Sequence, residues 1–360
     1  MSSYLDEKSI LALGEIDPEL KAVNTELFWF LEKANLPPVN YDNLDDFKEM
    51  VDKRNAAAIE ALGQPPPEVK QTEVQYPTSD GSKVRAKLYQ PTNPPKEGSP
   101  LIVMYHGGGF CIGAPEGEEQ SCRNFVQAFG AVCLSATYRL APEFKFPYAP
   151  KDSWDCLKWA AENAKSWGAD PSVGFLIGGT SAGGNITAVL AHLARDEGLS
   201  PPLTGQYLAI PALVPDTKLP EQYRKYFLSY EQNKNAPVLP QAAIEMFMRG
   251  YQPDNDDGVW YAVFNHPKGH ANLPPAFFQI DGMDPLRDEA IIFERVLREE
   301  NGIKTKMNLY PGLPHGHWGF FPFLKGSEKF RKEQVEGMGF LLGKKPDFSK
   351  VLLKAVAAGV

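Results

Sequence analysis

Val173-Gly174-Phe175-Leu176-Ile177-Gly178-Gly179-Thr180-Ser181-Ala182-Gly183 reads as an apolar strand that runs into a tight turn of small residues and then into a helix. The turn has the form G-x-S-x-G, and a helical pattern starts near Ala182. This context is what a nucleophile elbow requires. Small neighbours let the chain turn sharply and lift the serine off the strand end. The free N–H groups and positive dipole end of the new helix point to the same place. A phosphate-binding loop is the competing reading, but it calls for G-x-x-x-x-G-K-[ST], and no lysine stands here.

A second glycine-rich turn, His106-Gly107-Gly108-Gly109-Phe110, follows the apolar run 101–105. Three glycines let the backbone approach a ligand and turn N–H groups inward, an arrangement that holds the negative charge of a tetrahedral intermediate. Both turns end strands, and ligands of open α/β sheets bind outside the carboxyl ends of the strands.

Further out, runs 72–76 and 83–89 flank Ser79-Asp80-Gly81 as a hairpin. Short apolar runs follow at 131–134, 207–210, 276–280 and 306–310, most of them separated by helical patterns. With 101–105 and 173–177 they make eight strands. The alternation predicts a mostly parallel eight-stranded sheet covered by helices on both faces. Residues 211–275 break the rhythm: they offer no clear strand and carry many aromatics and methionines, such as Tyr226, Phe247, Met248 and Trp260. A structureless loop that long is improbable inside a compact unit, so the segment reads as an inserted helical cap. Near the start, Asp17-Pro18-Glu19 opens a helix with Leu20, Val23, Leu27, Phe30 and Leu31 at helical spacing. A second helix is expected from Asn43 to about Leu62, closed by Gly63. The expected organisation is N-terminal helices over 1–70 contributing to the cap, a first core part over 71–210, the inserted cap over 211–275 and a second core part over 276–360.

Composition narrows the function. The 360 residues are 43% hydrophobic and carry a formal net charge of −8. An acidic chain repels phosphate backbones, which argues against a nucleic-acid partner. The apolar run 101–105 is far shorter than the roughly 18 residues of a membrane span. The opening Met-Ser-Ser-Tyr-Leu-Asp-Glu-Lys has no basic region followed by an apolar one. A cytoplasmic location is expected. Cys111, Cys122, Cys133 and Cys156 lack CxxC spacing and read as reduced, packed thiols.

A serine nucleophile needs a base, and the base needs an acid, in chain order Ser, Asp or Glu, His. Of six histidines, His106 sits in the glycine loop, where it braces backbone. His192 lies on the helix after Ser181 and points elsewhere. His266 and His270 are four apart, but Pro267 and Gly269 between them argue against a helical metal pair. His315 and His317 follow the run 306–310, where the base belongs. Asp281, Asp284 and Asp288 follow the preceding run. Any one of these acids could instead cap a helix.

These motifs, with Tyr138-Arg139-Leu140-Ala141-Pro142-Glu143 and Asp284-Pro285-Leu286-Arg287-Asp288-Glu289 between them, resemble the ordered motifs of the hormone-sensitive-lipase-like esterases, the bacterial family IV type. The resemblance covers about residues 72–343. In detailed wording the chain is similar to fungal members of the versiconal hemiacetal acetate esterase kind. The family implies an α/β-hydrolase fold with a helical cap, Ser181 as nucleophile, Asp284 as triad acid and His315 as base. It also implies an oxyanion hole from the backbone of Gly108, Gly109 and Ala182, and a structural role for Tyr138–Glu143. Thr180 matches the GTSAG branch. His317 departs from the family, which shows Phe there; it is expected to pack or to touch the pocket rim. The implied activity is hydrolysis of short-acyl, acetyl-like esters through an acyl-enzyme. No metal or organic cofactor is expected, the partner is a small-molecule ester, and a homodimer stays open. The rivals are a lyase or cyclase in the same pocket and a non-catalytic receptor on the same fold. A receptor branch of this family has lost the triad histidine, whereas His315 is present here.

Overall fold

The computed structural model describes residues 6–22 and 39–354. Eight strands form one sheet in the order β1-β2-β4-β3-β5-β6-β7-β8. They are β1 Val69–Pro77, β2 Lys83–Pro91, β3 Leu101–Tyr105, β4 Val132–Ala136, β5 Phe175–Thr180, β6 Gly205–Ala209, β7 Ala276–Met283 and β8 Thr305–Pro314. β1 and β2 form the expected antiparallel hairpin, β2 pairs antiparallel with β4, and the remaining neighbours are parallel.

The inner strands are buried throughout except at Thr180, the last residue of β5, which is why they read as continuous apolar runs rather than alternating ones. Their side chains still sort by the two-residue period of a strand. Leu101, Val103 and Tyr105 enter one core and Ile102 and Met104 the other, while Phe278 and Phe277 divide in the same way. Helices α4 (Tyr148–Asn163), α5 (Ala182–Asp196) and α7 (Arg287–Arg295) cover the first face. Helices α3 (Glu119–Phe129) and α8 (Lys325–Leu342) cover the second.

β5 starts at Phe175, two residues later than its apolar run suggests. Asp170 caps a short 3-10 turn over Pro171–Val173 by accepting the Ser172 N–H, and Gly174 follows at φ 149°. Near the chain start, α1 spans Glu7–Ala12. The helix opened by Pro18 begins as expected, with Asp17 accepting the N–H groups of Glu19 and Leu20. Its predicted apolar positions from Val23 to Leu31 lie outside the described residues. The second helix, α2, runs Leu44–Leu62 between the Asn43 cap and Gly63. Between β6 and β7 the chain carries α6 (Gln241–Tyr251), a four-residue helical turn Ser229–Gln232 and short 3-10 turns. Among the described residues no helix is long and apolar enough to cross a membrane.

Candidate active site

The two glycine turns meet at the carboxyl ends of β3 and β5. A side chain on Gly179 would overlap the Gly183 carbonyl, and one on Gly183 would overlap the Tyr105 carbonyl. Both positions therefore have to be glycine for the turn to close against β3. Ser181 between them has φ 56° and ψ −113°. A non-glycine residue so placed stores on the order of 1–3 kcal/mol and needs the surroundings to hold it. Here its N–H donates to Ala209 O at 2.8 Å, and its carbonyl accepts the Asn185 N–H at 3.0 Å.

His315 directly follows β8 and Asp284 directly follows β7. His315 Nε2 stands 3.0 Å from Ser181 Oγ, and His315 Nδ1 stands 2.7 Å from Asp284 Oδ2. The other carboxylate oxygen of Asp284 accepts the Leu286 N–H at 2.9 Å, which fixes its plane. With Nδ1–H donated to the acid, Nε2 is left to accept from the serine hydroxyl, the tautomer a general base needs.

Gly108, Gly109 and Ala182 line the cavity beside Ser181. Among the described residues their N–H groups have no internal acceptor. Gly109, at φ 57°, lies against the ring of Phe247 from α6, and a side chain there would overlap that ring. His106 braces this loop as anticipated: Nδ1–H donates to Gly107 O at 2.7 Å and Nε2 accepts the Thr137 hydroxyl at 2.8 Å. Burial pushes His106 down to about 4, so the imidazole is neutral near pH 7. Tyr138 stacks on that ring at 4.6 Å and donates to His106 O at 3.0 Å. Arg139 grips Asp152 with two donors, at 2.7 and 2.9 Å. The Tyr138–Glu143 run thus acts as a buttress behind the glycine loop.

The remaining histidines stand apart from Ser181. His192 Nδ1–H donates to Ala188 O at 2.7 Å and its Nε2 meets His270 Nδ1 at 3.0 Å, with His266 stacked 4.5 Å away. Among the described residues no group of three or more His, Cys, Asp or Glu is arranged to hold a metal ion. All four cysteines are free and buried. His317 does not reach the pocket rim. It is wholly buried, with Nδ1 3.0 Å from Asp281 Oδ1, because the turn at Gly316 directs it back under the sheet end.

Two acids around the site escaped the sequence reading. Glu118 accepts the Thr180 hydroxyl at 2.6 Å, directly before Ser181, and burial pushes its carboxyl up to about 7. Glu289 accepts the Leu213 N–H at 2.6 Å, and burial holds its carboxyl well above the usual range. The motif Asp284–Glu289 contained the second of these; the first lies in the acidic stretch Glu116-Gly117-Glu118-Glu119, where no local signal marks one acid as buried.

Above Ser181 opens a cavity of about 1150 Å³. Its walls come from α2 (Phe47, Val51), the glycine loop and the segment after β6 (Val214, Leu239, Phe247). Asn185, on the first turn of α5, donates to Ala212 O and Tyr261 O at 2.6 and 2.9 Å, tying that segment to the elbow.

A family model described as the α/β hydrolase fold matches residues 102–319. The AB hydrolase superfamily protein B1A11.02 of Schizosaccharomyces pombe is 35% identical, over 94% of this chain and 96% of its own. The versiconal hemiacetal acetate esterase of Dothistroma septosporum is 31% identical, over 68% of this chain and 74% of its own. The crystal structure of vibralactone cyclase aligns with a TM-score of 0.84 at 32% identity, covering 95% of this chain and 98% of that one. The chain belongs to the α/β-hydrolase fold family, among its hormone-sensitive-lipase-like esterases.

Proposed function

We propose that this protein hydrolyses carboxylic esters of short, acetyl-like acyl groups through an acyl-enzyme on Ser181. The observation that carries the reading is the chain Ser181 Oγ–His315 Nε2 at 3.0 Å and His315 Nδ1–Asp284 Oδ2 at 2.7 Å, in a cavity also lined by Gly108, Gly109 and Ala182. His315 takes the Ser181 proton as the oxygen attacks the ester carbonyl. The N–H groups of Gly108, Gly109 and Ala182 hold the oxyanion, a charge absent from the ground state, so they lower the barrier rather than only binding substrate. The imidazolium, held by Asp284, protonates the leaving alcohol. His315 then deprotonates a water that attacks the acyl-enzyme, and Ser181 leaves with the proton returned.

The cavity exceeds the roughly 300–1,000 Å³ of most small-molecule sites, far more than an acetyl group fills. The spare volume suits a bulky, mostly apolar alcohol portion. We take α2 and the segment 211–275 as the cap that shapes it. A second reading, favoured by the likeness to vibralactone cyclase, is cyclisation of a ligand in the same pocket, with a hydroxyl of the ligand replacing water.

Turnover of p-nitrophenyl esters of increasing acyl length, with Ser181→Ala as control, tests the proposal. Turnover of the acetyl ester that falls with chain length and vanishes in the control is expected. No turnover of any ester by the folded wild type would turn the argument toward cyclisation.

A further inference from the structure

A second acid–imidazole pair lies beside the first. Asp281 and His317 are both fully buried, and neither lines the cavity. The sheet register slips between Asp281 and Met283 where β7 pairs with β8. Such an irregularity re-aims a side chain, and here Asp281 reaches across to the turn after β8. Its Oδ2 accepts the Gly316 N–H at 3.0 Å. Gly316, at φ 68°, is the residue between His315 and His317 and starts the short helical turn His317–Phe320. Asp281 Oδ1 faces His317 Nδ1 at 3.0 Å, outside hydrogen-bond geometry, and His317 Nε2 has no partner among the described residues.

A dry carboxylate with one hydrogen bond is costly, and the facing imidazole offsets that cost. Burial raises the Asp281 carboxyl, and His317 opposes the rise. Other titratable or charged groups on the elements packed around the pair include Asp284, His315, Tyr207, Tyr310, Arg331, Lys329 and Glu333. A merely structural filling would have been simpler with two apolar side chains.

We propose that Asp281 and His317 are positioning residues for the reaction: Asp281 clamps the backbone of the turn that carries His315, and His317 holds Asp281 in place. The inference rests on His315 as the base. A displacement of about 1 Å at a catalytic group costs up to about a hundredfold in rate. Asp281→Leu removes the acceptor of the Gly316 N–H and lowers kcat by about ten- to a hundredfold, with KM unchanged because the residue lies outside the cavity. Asp281→Asn keeps an oxygen for that N–H and holds kcat about tenfold above Asp281→Leu.

His317→Phe, which leaves the acid without its partner, lowers kcat by about tenfold in the wild-type background and by less than about twofold in the Asp281→Asn background. Should Asp281→Leu fail to fold, this cycle decides alone. Equal kcat losses in both backgrounds, losses confined to KM, or wild-type kcat in His317→Phe would overturn the pairing. His315→Ala assayed alongside separates the two claims. An active His315→Ala enzyme refutes the base assignment. An inactive one beside a cycle without coupling refutes only the positioning pair.

Discussion

Two carboxyl–imidazole pairs sit at the same end of the sheet, built from residues three apart on β7 and its exit and two apart after β8. Asp284–His315 and Asp281–His317 have nearly equal N–O distances, 2.7 and 3.0 Å. They differ in what lies beyond the imidazole. His315 Nε2 ends on Ser181 Oγ at a cavity wall, whereas His317 Nε2 ends in packed side chains near Trp318 and Phe330. Residue type and spacing therefore do not single out a candidate base; access to a serine hydroxyl and to the cavity does.

The sharpest way to break this comparison is to delete one imidazole. His315→Ala should lower kcat by about four orders of magnitude or more, since triad members act as a unit. Steady-state kinetics on p-nitrophenyl acetate measure it, and a loss below about tenfold would put the base elsewhere.

The next effect concerns what His315 faces and His317 does not. Gly108→Pro removes one amide from the glycine loop and distorts the turn. It should cost about a hundredfold or more in kcat. A folded variant with wild-type kcat would remove the loop from the mechanism.

A smaller effect concerns the imidazoles that burial keeps neutral. Burial lowers His106 and His270 to about 4, and lowers His192 well below its usual value. A group whose folded pKa is depressed contributes stability that is full above its unfolded value, near 6.5 for His, and is lost as pH falls toward the folded one. Thermal melts should therefore decline from about pH 6.5 toward pH 4. His270→Asn should flatten that decline, and identical slopes for the two proteins would argue against buried neutral histidines as its source.

The smallest effect is expected at the cap. Phe247→Ala opens space beside Gly109 and should change the preference between long and short acyl esters by about tenfold, with little effect on kcat for acetate. An unchanged chain-length profile would show that the ring only packs.

What the sequence made legible follows from range. The elbow around Ser181 and the glycine loop are contiguous, and each turn depends on its immediate neighbours, so both could be read directly, whereas the choice of Gly108, Gly109 and Ala182 as oxyanion donors came from the family resemblance. α2 was readable from its Asn43 and Gly63 caps, but not its contact with α6, where Phe47 meets Phe247 edge-on at 5.8 Å. The Asp281–His317 pair was hidden for the same reason. It depends on a local slip in register that brings together residues 36 positions apart, and an expected Phe position gave no hint of an imidazole facing an acid. Glu118 was hidden because the acids Glu116, Glu118 and Glu119 look solvated, whereas Glu118 and Glu119 are buried against Thr180 and Arg123.

We propose Ser181 as the activated nucleophile. Intact-mass and peptide mapping after treatment with a fluorophosphonate probe tests it directly. A single adduct on Ser181, with ester turnover lost in proportion to labelling and no adduct on Ser181→Ala, is the expected result. Labelling of another serine, or full turnover with Ser181 occupied, would contradict it.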